Sequence, residues 1–498
     1  MGAQNAAENA AENADKAISE EWRDIATTPD DPNGLRGRRV LVMGLGLLGG
    51  GVATARYAVA QGAAEVVVTD LRGPEMLAPS IAQLDVLPIR FALGAHEVAE
   101  FEQADVVVRN PNVRRDSPYL AAARTAGRRV EMEIAWFFRA CRGHIAGITG
   151  TRGKSTTTTL LHHILTVAGR KPFLGGNLGQ IETLSLLPAI TLDDWVVLEL
   201  GNWMLEGLHT IRRSPQLAIF TNLLPDHLNA YDDMEDYGAA KSSIFRYQGP
   251  DDSAFFNADN AYTLRYGQEA PAGEVWYYSP DQRMAWRRDQ PDDRRPFLYA
   301  EAIHLRGAHN LGNVQAATLA AERIGVDRET IARAVASFPG VPHRLEVART
   351  VNGVTWVNDS ASTAPMAGIA ALRSFDQPIV LIAGGNSKNL DPSEFAAEAV
   401  ARAKHIVLLA GNASDEFATA LRAAARAQGR TDDFLEGPYD SLPVAIERAQ
   451  AATSPGDVAL LSPGFTSFGM FLNEFDRGDQ FRTLVQALPD ESNGEARV

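Results

Sequence analysis

Two glycine-rich turns, each placed after a short β-branched run and ahead of a helical pattern, constrain this chain more than any other feature. The first is Gly44-Leu45-Gly46-Leu47-Leu48-Gly49, after Arg39–Met43. The second is Thr149-Gly150-Thr151-Arg152-Gly153-Lys154-Ser155-Thr156, after His144–Ile148. Glycines at a strand–helix junction let the backbone turn tightly and set N–H groups and a helix N-terminus against phosphate. Other short apolar runs recur at Glu65–Thr69, Asp105–Val108, Trp195–Leu200, Leu217–Thr221, Thr355–Asn358, Pro378–Ala383, His405–Leu409 and Asp457–Leu461. Helical patterns such as Ser155–Val167 and Asn313–Ile324 separate them. Apolar strands alternating with helices predict an α/β chain whose parallel sheets are covered on both faces.

The 498 residues suffice for three domains at the usual domain size. Gly and Pro density sets boundaries near Cys141–His144 and near Gly340–His343, where Pro339-Gly340-Val341-Pro342 reads as a linker. The resulting segments are a polar Ala/Asn/Glu-rich tail over 1–36, then 37–141, 142–341 and 342–498. The polar stretch Ala270–Pro296 reads as a surface insertion in the middle domain. A net charge of −15 argues against nucleic acid and against anionic membranes, which both require a positive footprint. Cys141 is the only cysteine, which excludes an intramolecular disulfide and a cysteine-based zinc site and suits a reducing, cytoplasmic setting. Neither a signal peptide nor an apolar run of ~18 residues is expected, and Ala6 breaks the myristoylation pattern.

Asp70 closes the next strand about 20 residues beyond the first turn, where an acid can accept from a ribose hydroxyl. That pattern leaves open NAD, another nucleotide, or a turn that merely packs helix on strand. The second turn is more specific. Lys154 would supply a point charge to the β/γ-phosphates and Ser155 a hydroxyl for Mg²⁺, which predicts ATP binding even though Ile148 stands where the strict pattern has glycine. A dehydrogenase needs no such loop. Glu199 is an acid in an apolar strand and requires a metal or a cationic partner. His227, just past a strand end, reads alone as a polar loop residue and, with Ser155 and Glu199, as part of a Mg²⁺ set. Lys241 reads alone as a solvated helix lysine.

These motifs fall in an order that resembles the Mur ligase family. Gly150–Thr156, Asn222–His227, the Tyr237–Phe245 helix and Gly307–Asn313 are followed by His343-Arg344-Leu345-Glu346, Asn358-Asp359-Ser360 and Leu461-Ser462-Pro463-Gly464. The likeness runs from about Val40 to Arg482. It implies a Rossmann-like N-terminal domain for a UDP-linked substrate, a central P-loop ATPase-like domain for ATP, and a Rossmann-like C-terminal domain for an amino acid. Gly175–Gly179, Glu199-Leu200 with Leu205-Glu206, Ser467-Phe468 and Arg477-Gly478-Asp479 resemble the branch that adds glutamate to UDP-N-acetylmuramoyl-L-alanine. The implied activity is an ATP-dependent amide ligation through an acyl phosphate, with D-glutamate as the first choice, by a cytoplasmic monomer that serves peptidoglycan precursor synthesis.

The resemblance also assigns roles. Leu47, Leu48, Asp70, Leu71, Arg72 and Asn177 match UDP-substrate positions. Gly150, Thr151, Gly153, Lys154, Ser155, Thr156, Asn310, Asn313, Arg344 and Asp359 match ATP positions. Ser155, Glu199, His227 and a carbamylated Lys241 match Mg²⁺ ligands, and Lys154, His227 and Lys241 catalytic positions. Thr363, Lys388, Ser467 and Phe468 match amino-acid positions. The chain departs from the branch at Gly201-Asn202-Trp203-Met204, where Asn202 is the candidate replacement donor. It departs again at Ala361, in place of a lysine that Arg152 would have to replace, and at Glu474, in place of an aromatic that adjacent Phe475 would restore. The rival readings are a ligase for L-glutamate, another amino acid or a folate, an NAD-dependent oxidoreductase, and a non-catalytic nucleotide-binding scaffold.

Overall fold

The computed structural model describes residues 30–490 apart from 112, 179–180, 227–230, 304, 306–309, 389 and 468. Among the described residues the strands form three sheets, so the chain has the three-domain α/β architecture that the alternation predicts. The first sheet holds β1 (Arg39–Met43), β2 (Glu65–Asp70), β3 (Ile89–Leu93), β4 (Val106–Arg109) and β5 (Arg129–Glu131), all parallel, in the order 3-2-1-4-5. The order reverses between β1 and β4, and α1 (Gly50–Ala60) follows the glycine-rich turn there. In α/β sheets ligands collect at such switch points, beyond the carboxyl ends of the strands.

The second sheet runs from β6 (His144–Thr149) through β7 (Phe173–Gly176), β8 (Trp195–Glu199), β9 (Leu217–Phe220), β10 (Ser253–Asn257), β11 (Glu274–Ser279) and β12 (Met284–Arg287) to β13 (Gln290–Pro296). Its order is 13-12-11-10-9-6-8-7. β6 is therefore central, with β8 and β9 beside it and α2 (Lys154–Val167) after it. The helix α3 (Asn202–Ile211) packs on α4 (Met234–Ser242), and α4 and α5 (Asn310–Ile324) reach the phosphate loop and the start of α2 through Lys241 and Asn313. The expectation of a surface insertion over Ala270–Pro296 is corrected. Glu274–Ser279 is a strand parallel to β10, with Val275, Trp276, Tyr277 and Tyr278 all buried. The aromatic run supplies burial that the polar average of the stretch conceals. Only the antiparallel hairpin β12–β13 adds an exposed edge.

The third sheet contains β14 (Glu346–Val351), β15 (Val354–Asn358), β16 (Ile379–Gly384), β17 (Ala403–Leu409), β18 (Leu435–Tyr439) and β19 (Val458–Leu461), in the order 14-15-19-16-17-18. All pairs are parallel except the β14–β15 hairpin. Alternate strand residues feed opposite layers: Leu381 and Ala383 belong to one apolar cluster, Val380 and Ile382 to another. The helix α6 (Glu474–Gln486) closes the chain's described part. By compactness the first two sheets belong to one unit, which ends at Phe338, and the segment from Pro339 onward belongs to a second. One apolar cluster, including Val42, Trp136, Phe137 and Leu205, runs through the first unit. No helix among the described residues is long and apolar enough to cross a membrane.

Candidate active site

The phosphate loop leaves β6 at its carboxyl end and is stitched to the loop after β9. Thr151 N–H donates to the Asn222 carbonyl (2.9 Å) and Arg152 N–H to Asn222 Oδ1 (3.0 Å), while Asn222 Nδ2 returns to the Arg152 carbonyl (3.1 Å). Gly150 has φ +149°, and a Cβ there would stand 1.9 Å from Thr221 Oγ1, so only glycine permits this approach. Lys154 folds over the loop, donating to the carbonyls of Gly150 (3.0 Å) and Thr151 (2.9 Å). No side chain caps the N-terminus of α2, so its first N–H groups face the loop. Thr157, one turn into α2, donates to Asn313 Oδ1 on α5, and Asn313 Nδ2 donates to Asn310 (2.8 Å). These contacts bring the sequence-predicted Asn310 and Asn313 to the phosphate loop. Asn222, the first residue of the Asn222–His227 motif, and Thr221 brace the loop, although neither had a role of its own in the sequence reading. Their signal is their place directly after β9, beside β6.

Glu199 ends β8, 2% exposed. Ser155 Oγ donates to Glu199 Oε2 (2.6 Å) and Asn177 Nδ2 to Oε1 (3.0 Å). Both donors are neutral, which leaves a buried carboxylate in need of positive charge. An oxygen-only donor set of a carboxylate and a hydroxyl suits Mg²⁺, so the residues present fit that ion. Among the described residues no cluster of three His, Cys, Asp or Glu side chains completes a metal site. His227 lies outside the described residues.

The reading of Lys241 as a solvated helix lysine is corrected, for it is 1% exposed. Asp233 caps α4 by accepting from the N–H groups of Glu235 and Asp236, and two turns later the helix buries Lys241. Its Nζ donates to the Gly150 carbonyl (3.1 Å) and lies 4.9 Å from the Tyr237 ring centroid. Burial, reinforced by neighbouring Lys154, holds its pKa well below the usual lysine range, against the pull of Asp226 and Glu199. Asn202 is also corrected as a replacement donor. Its amide is buried and donates to the Tyr231 hydroxyl (2.9 Å).

In the first sheet Asp70 braces the glycine-rich turn. Its carboxylate accepts from Leu45 N–H (3.0 Å), Gly46 N–H (3.2 Å) and the Arg72 guanidinium (3.1 Å). Burial alone would raise its pKa, but the bonds from Arg72 and Gly46 prevail and hold it below the usual carboxylate range. Leu47 is half-buried, whereas Leu48 (45%) and Leu71 (64%) are exposed beside the turn.

In the second unit, burial pushes the Asp359 carboxyl up to about 7, although Ser462 Oγ (2.8 Å) and Leu345 N–H (3.1 Å) donate to it. Arg344 is presented between His343 and Leu345, which both have left-handed φ (63° and 47°). Lys388 Nζ donates to Thr363 Oγ1 (3.0 Å). Ser467 is buried, and its hydroxyl has no hydrogen-bond partner among the described residues. Phe468 lies outside them. Phe475 packs its edge on His343 (5.8 Å between ring centroids), and Arg152 is exposed. Arg477, fully buried, donates to Ser360 Oγ and the Ser360 carbonyl (2.9 Å each), one residue before Ala361. In the sequence Arg477 entered only through the likeness of Arg477-Gly478-Asp479 to the glutamate-adding branch, without a role of its own.

Three family descriptions match this chain: "Mur ligase MurD-like, N-terminal domain" at residues 38–131, "Mur ligase middle domain" at 148–321 and "Mur ligase, glutamate ligase domain" at 343–465. The UDP-N-acetylmuramoylalanine–D-glutamate ligase of Roseiflexus sp. (strain RS-1) is 45% identical over 473 residues, covering 91% of this chain and 99% of that protein. The Symbiobacterium thermophilum protein of the same name is 35% identical, covering 90% and 98%. Among solved structures, a UDP-N-acetylmuramate-alanine ligase from Thermotoga maritima matches with a TM-score of 0.57 at 19% identity, covering 90% of this chain and 99% of that one, and so shares the fold.

Proposed function

This chain belongs to the Mur ligase family and is a ligase, and we propose that it joins D-glutamate to UDP-N-acetylmuramoyl-L-alanine while ATP is cleaved to ADP and phosphate. The step serves peptidoglycan precursor synthesis, carried out by a monomer in the cytoplasm. The observation that carries the reading is the Ser155 hydroxyl 2.6 Å from the buried Glu199 carboxylate beside a glycine-rich phosphate loop, in a chain whose relatives bear that name.

In this reading residues 37–141 hold the UDP-linked substrate, 142–341 ATP and 342–498 glutamate. Backbone N–H groups of Gly150–Thr156 and the Lys154 ammonium take the ATP phosphates, with Asn310 and Asn313 on the adenine side, and Arg344 and Asp359 are further proposed ATP residues. Leu47, Leu48, Leu71 and Arg72 receive the uridine nucleotide over the turn that Asp70 braces, and Asn177 faces the same substrate. Ser155, Glu199, His227 and Lys241 as a carbamate would hold Mg²⁺, which when bound offsets the repulsion between the anions that must meet. The neutral amine that burial favours at Lys241 adds CO₂ and loses a proton, which converts a neutral group into the anionic oxygen donor that Mg²⁺ prefers. The muramoyl-alanine carboxylate takes the γ-phosphoryl group. The glutamate amine then attacks the acyl carbon and phosphate leaves. Thr363, Lys388, Ser467 and Phe468 hold the glutamate.

The test is phosphate release with UDP-N-acetylmuramoyl-L-alanine against a panel of amino acids. D-glutamate alone should sustain turnover. A preference for L-glutamate would show that Glu474 and Ala361 have changed the pocket, and reduction of NAD without ligation would overturn the reading.

A further inference from the structure

A chain of polar and aromatic contacts between the first two sheets has no part in the chemistry above. Arg109 ends β4, and the segment after it begins beside the nucleotide loop. Asn110 N–H donates to the Met43 carbonyl (2.9 Å), and a Cβ on Gly44 would stand 2.9 Å from Asn110 Cβ. Arg109 donates to the Val113 carbonyl (2.7 Å) and pairs with Glu206 on α3 (2.7 Å). The other Glu206 oxygen accepts from the Tyr231 hydroxyl (3.0 Å), which itself accepts from Asn202 (2.9 Å).

Tyr231 is 3% exposed, stacks on Trp203 (5.4 Å, 15°) and lies 5.3 Å from the Tyr237 ring. Tyr237 sits on α4 under Lys241, with its hydroxyl 3.5 Å from Thr151 Oγ1 of the phosphate loop. Arg115 ties the same segment to α4 again, through Asp236 (3.1 Å), with its guanidinium 5.6 Å from the Tyr231 ring centroid. Asn110 therefore touches the Gly44–Gly49 turn, and Arg115 touches the helix bearing Lys241.

A buried ion pair such as Arg109–Glu206 is a weak source of stability, since desolvation offsets most of its attraction, but it admits few alternative arrangements. A hydroxyl has one proton to give. Tyr231 gives its proton to Glu206 while accepting from Asn202, so a shift of Glu206 changes the position of the ring against Tyr237.

We propose that Tyr231 is a positioning residue of the ligation. Through Glu206 and Arg109 it couples the segment beside the nucleotide loop to the helix that carries Lys241, so that the UDP-substrate and ATP strengthen each other's binding. The proposal rests on the ligase reading. Its test is the Kd of the magnesium complex of a non-hydrolysable ATP analogue, with and without saturating UDP-N-acetylmuramoyl-L-alanine, for wild type, Tyr231→Phe, Glu206→Gln and the double variant.

In the wild type the UDP-substrate should lower that Kd about fivefold or more, the usual floor for a coupled pair of sites. In Tyr231→Phe the effect should fall below about twofold, with unchanged circular dichroism and a near-wild-type Kd for the UDP-substrate alone. The double variant should lose no more than either single one, as members of one network do. A wild type without coupling, a Tyr231→Phe protein with full coupling, or losses that add would each overturn the proposal. If Glu206→Gln does not fold, Tyr231→Phe alone decides. Failure of the ligase reading shows separately, as a wild type that forms no product when ATP and D-glutamate replace the analogue.

Discussion

The Ser155 hydroxyl donates to Glu199 across 2.6 Å, joining the first turn after the phosphate loop to the end of the strand beside it. That contact holds a charge in the interior with only neutral donors around it. Glu199→Gln keeps the shape and removes the charge. Turnover should fall by at least ~100-fold, about 3 kcal/mol of transition-state stabilisation, while the Kd for the UDP-substrate holds. Near-wild-type turnover in steady-state assays would remove Glu199 from the site.

Lys241→Ala should be nearly inactive, because the position is proposed to supply an anion from the interior. A short carboxylic acid such as acetate, added to the buffer, should restore part of the rate by occupying the vacated space. Full activity of Lys241→Ala without any additive would contradict the carbamate.

Ser467 buries a hydroxyl without a partner among the described residues. Ser467→Ala therefore removes no hydrogen bond from the free protein, and its Tm should stay at or slightly above that of the wild type. The KM for glutamate should rise on the order of tenfold, the loss of one hydrogen bond to a charged ligand. A lower Tm with an unchanged KM would make Ser467 structural.

Asp359 has its carboxyl raised by burial to about 7. The folded protein thus holds this proton more tightly than the unfolded chain, whose aspartate titrates near its ordinary value. The stability linked to it is fully present below that value and is lost as pH rises through about 7. Asp359→Asn has no such proton to lose. It should be more stable than wild type at pH 8 by roughly 1–3 kcal/mol, with the gap closing toward pH 4 and turnover falling throughout. Thermal unfolding at both pH values checks this, and a wild type that is the more stable at pH 8 would contradict it.

The parallel sheets were legible because runs such as Val66-Val67-Val68 and Val106-Val107-Val108 are buried on both faces and carry no polar interruption. The phosphate loop was legible because its chemistry is local: Lys154, Ser155 and the glycines are contiguous. Lys241 was not, since Met234–Ser242 has polar residues on every side and only the packing of α4 against the phosphate loop buries that one amine. Asn202 misled for a similar reason, as its partner Tyr231 lies 29 residues away. Strand β11 was hidden by the polar residues that flank Val275–Tyr278. Arg477 is buried by α6 under Ser360 and Phe465, a contact that no spacing in the sequence announces.

The most direct test of the central claim follows an oxygen atom. UDP-N-acetylmuramoyl-L-alanine labelled with ¹⁸O in the alanine carboxylate is turned over with ATP and D-glutamate, and the released phosphate is analysed by mass spectrometry. An acyl phosphate formed at this site transfers one carboxylate oxygen to phosphate, so the account predicts one ¹⁸O in each phosphate released. Unlabelled phosphate, or phosphate released equally well without D-glutamate, would contradict it.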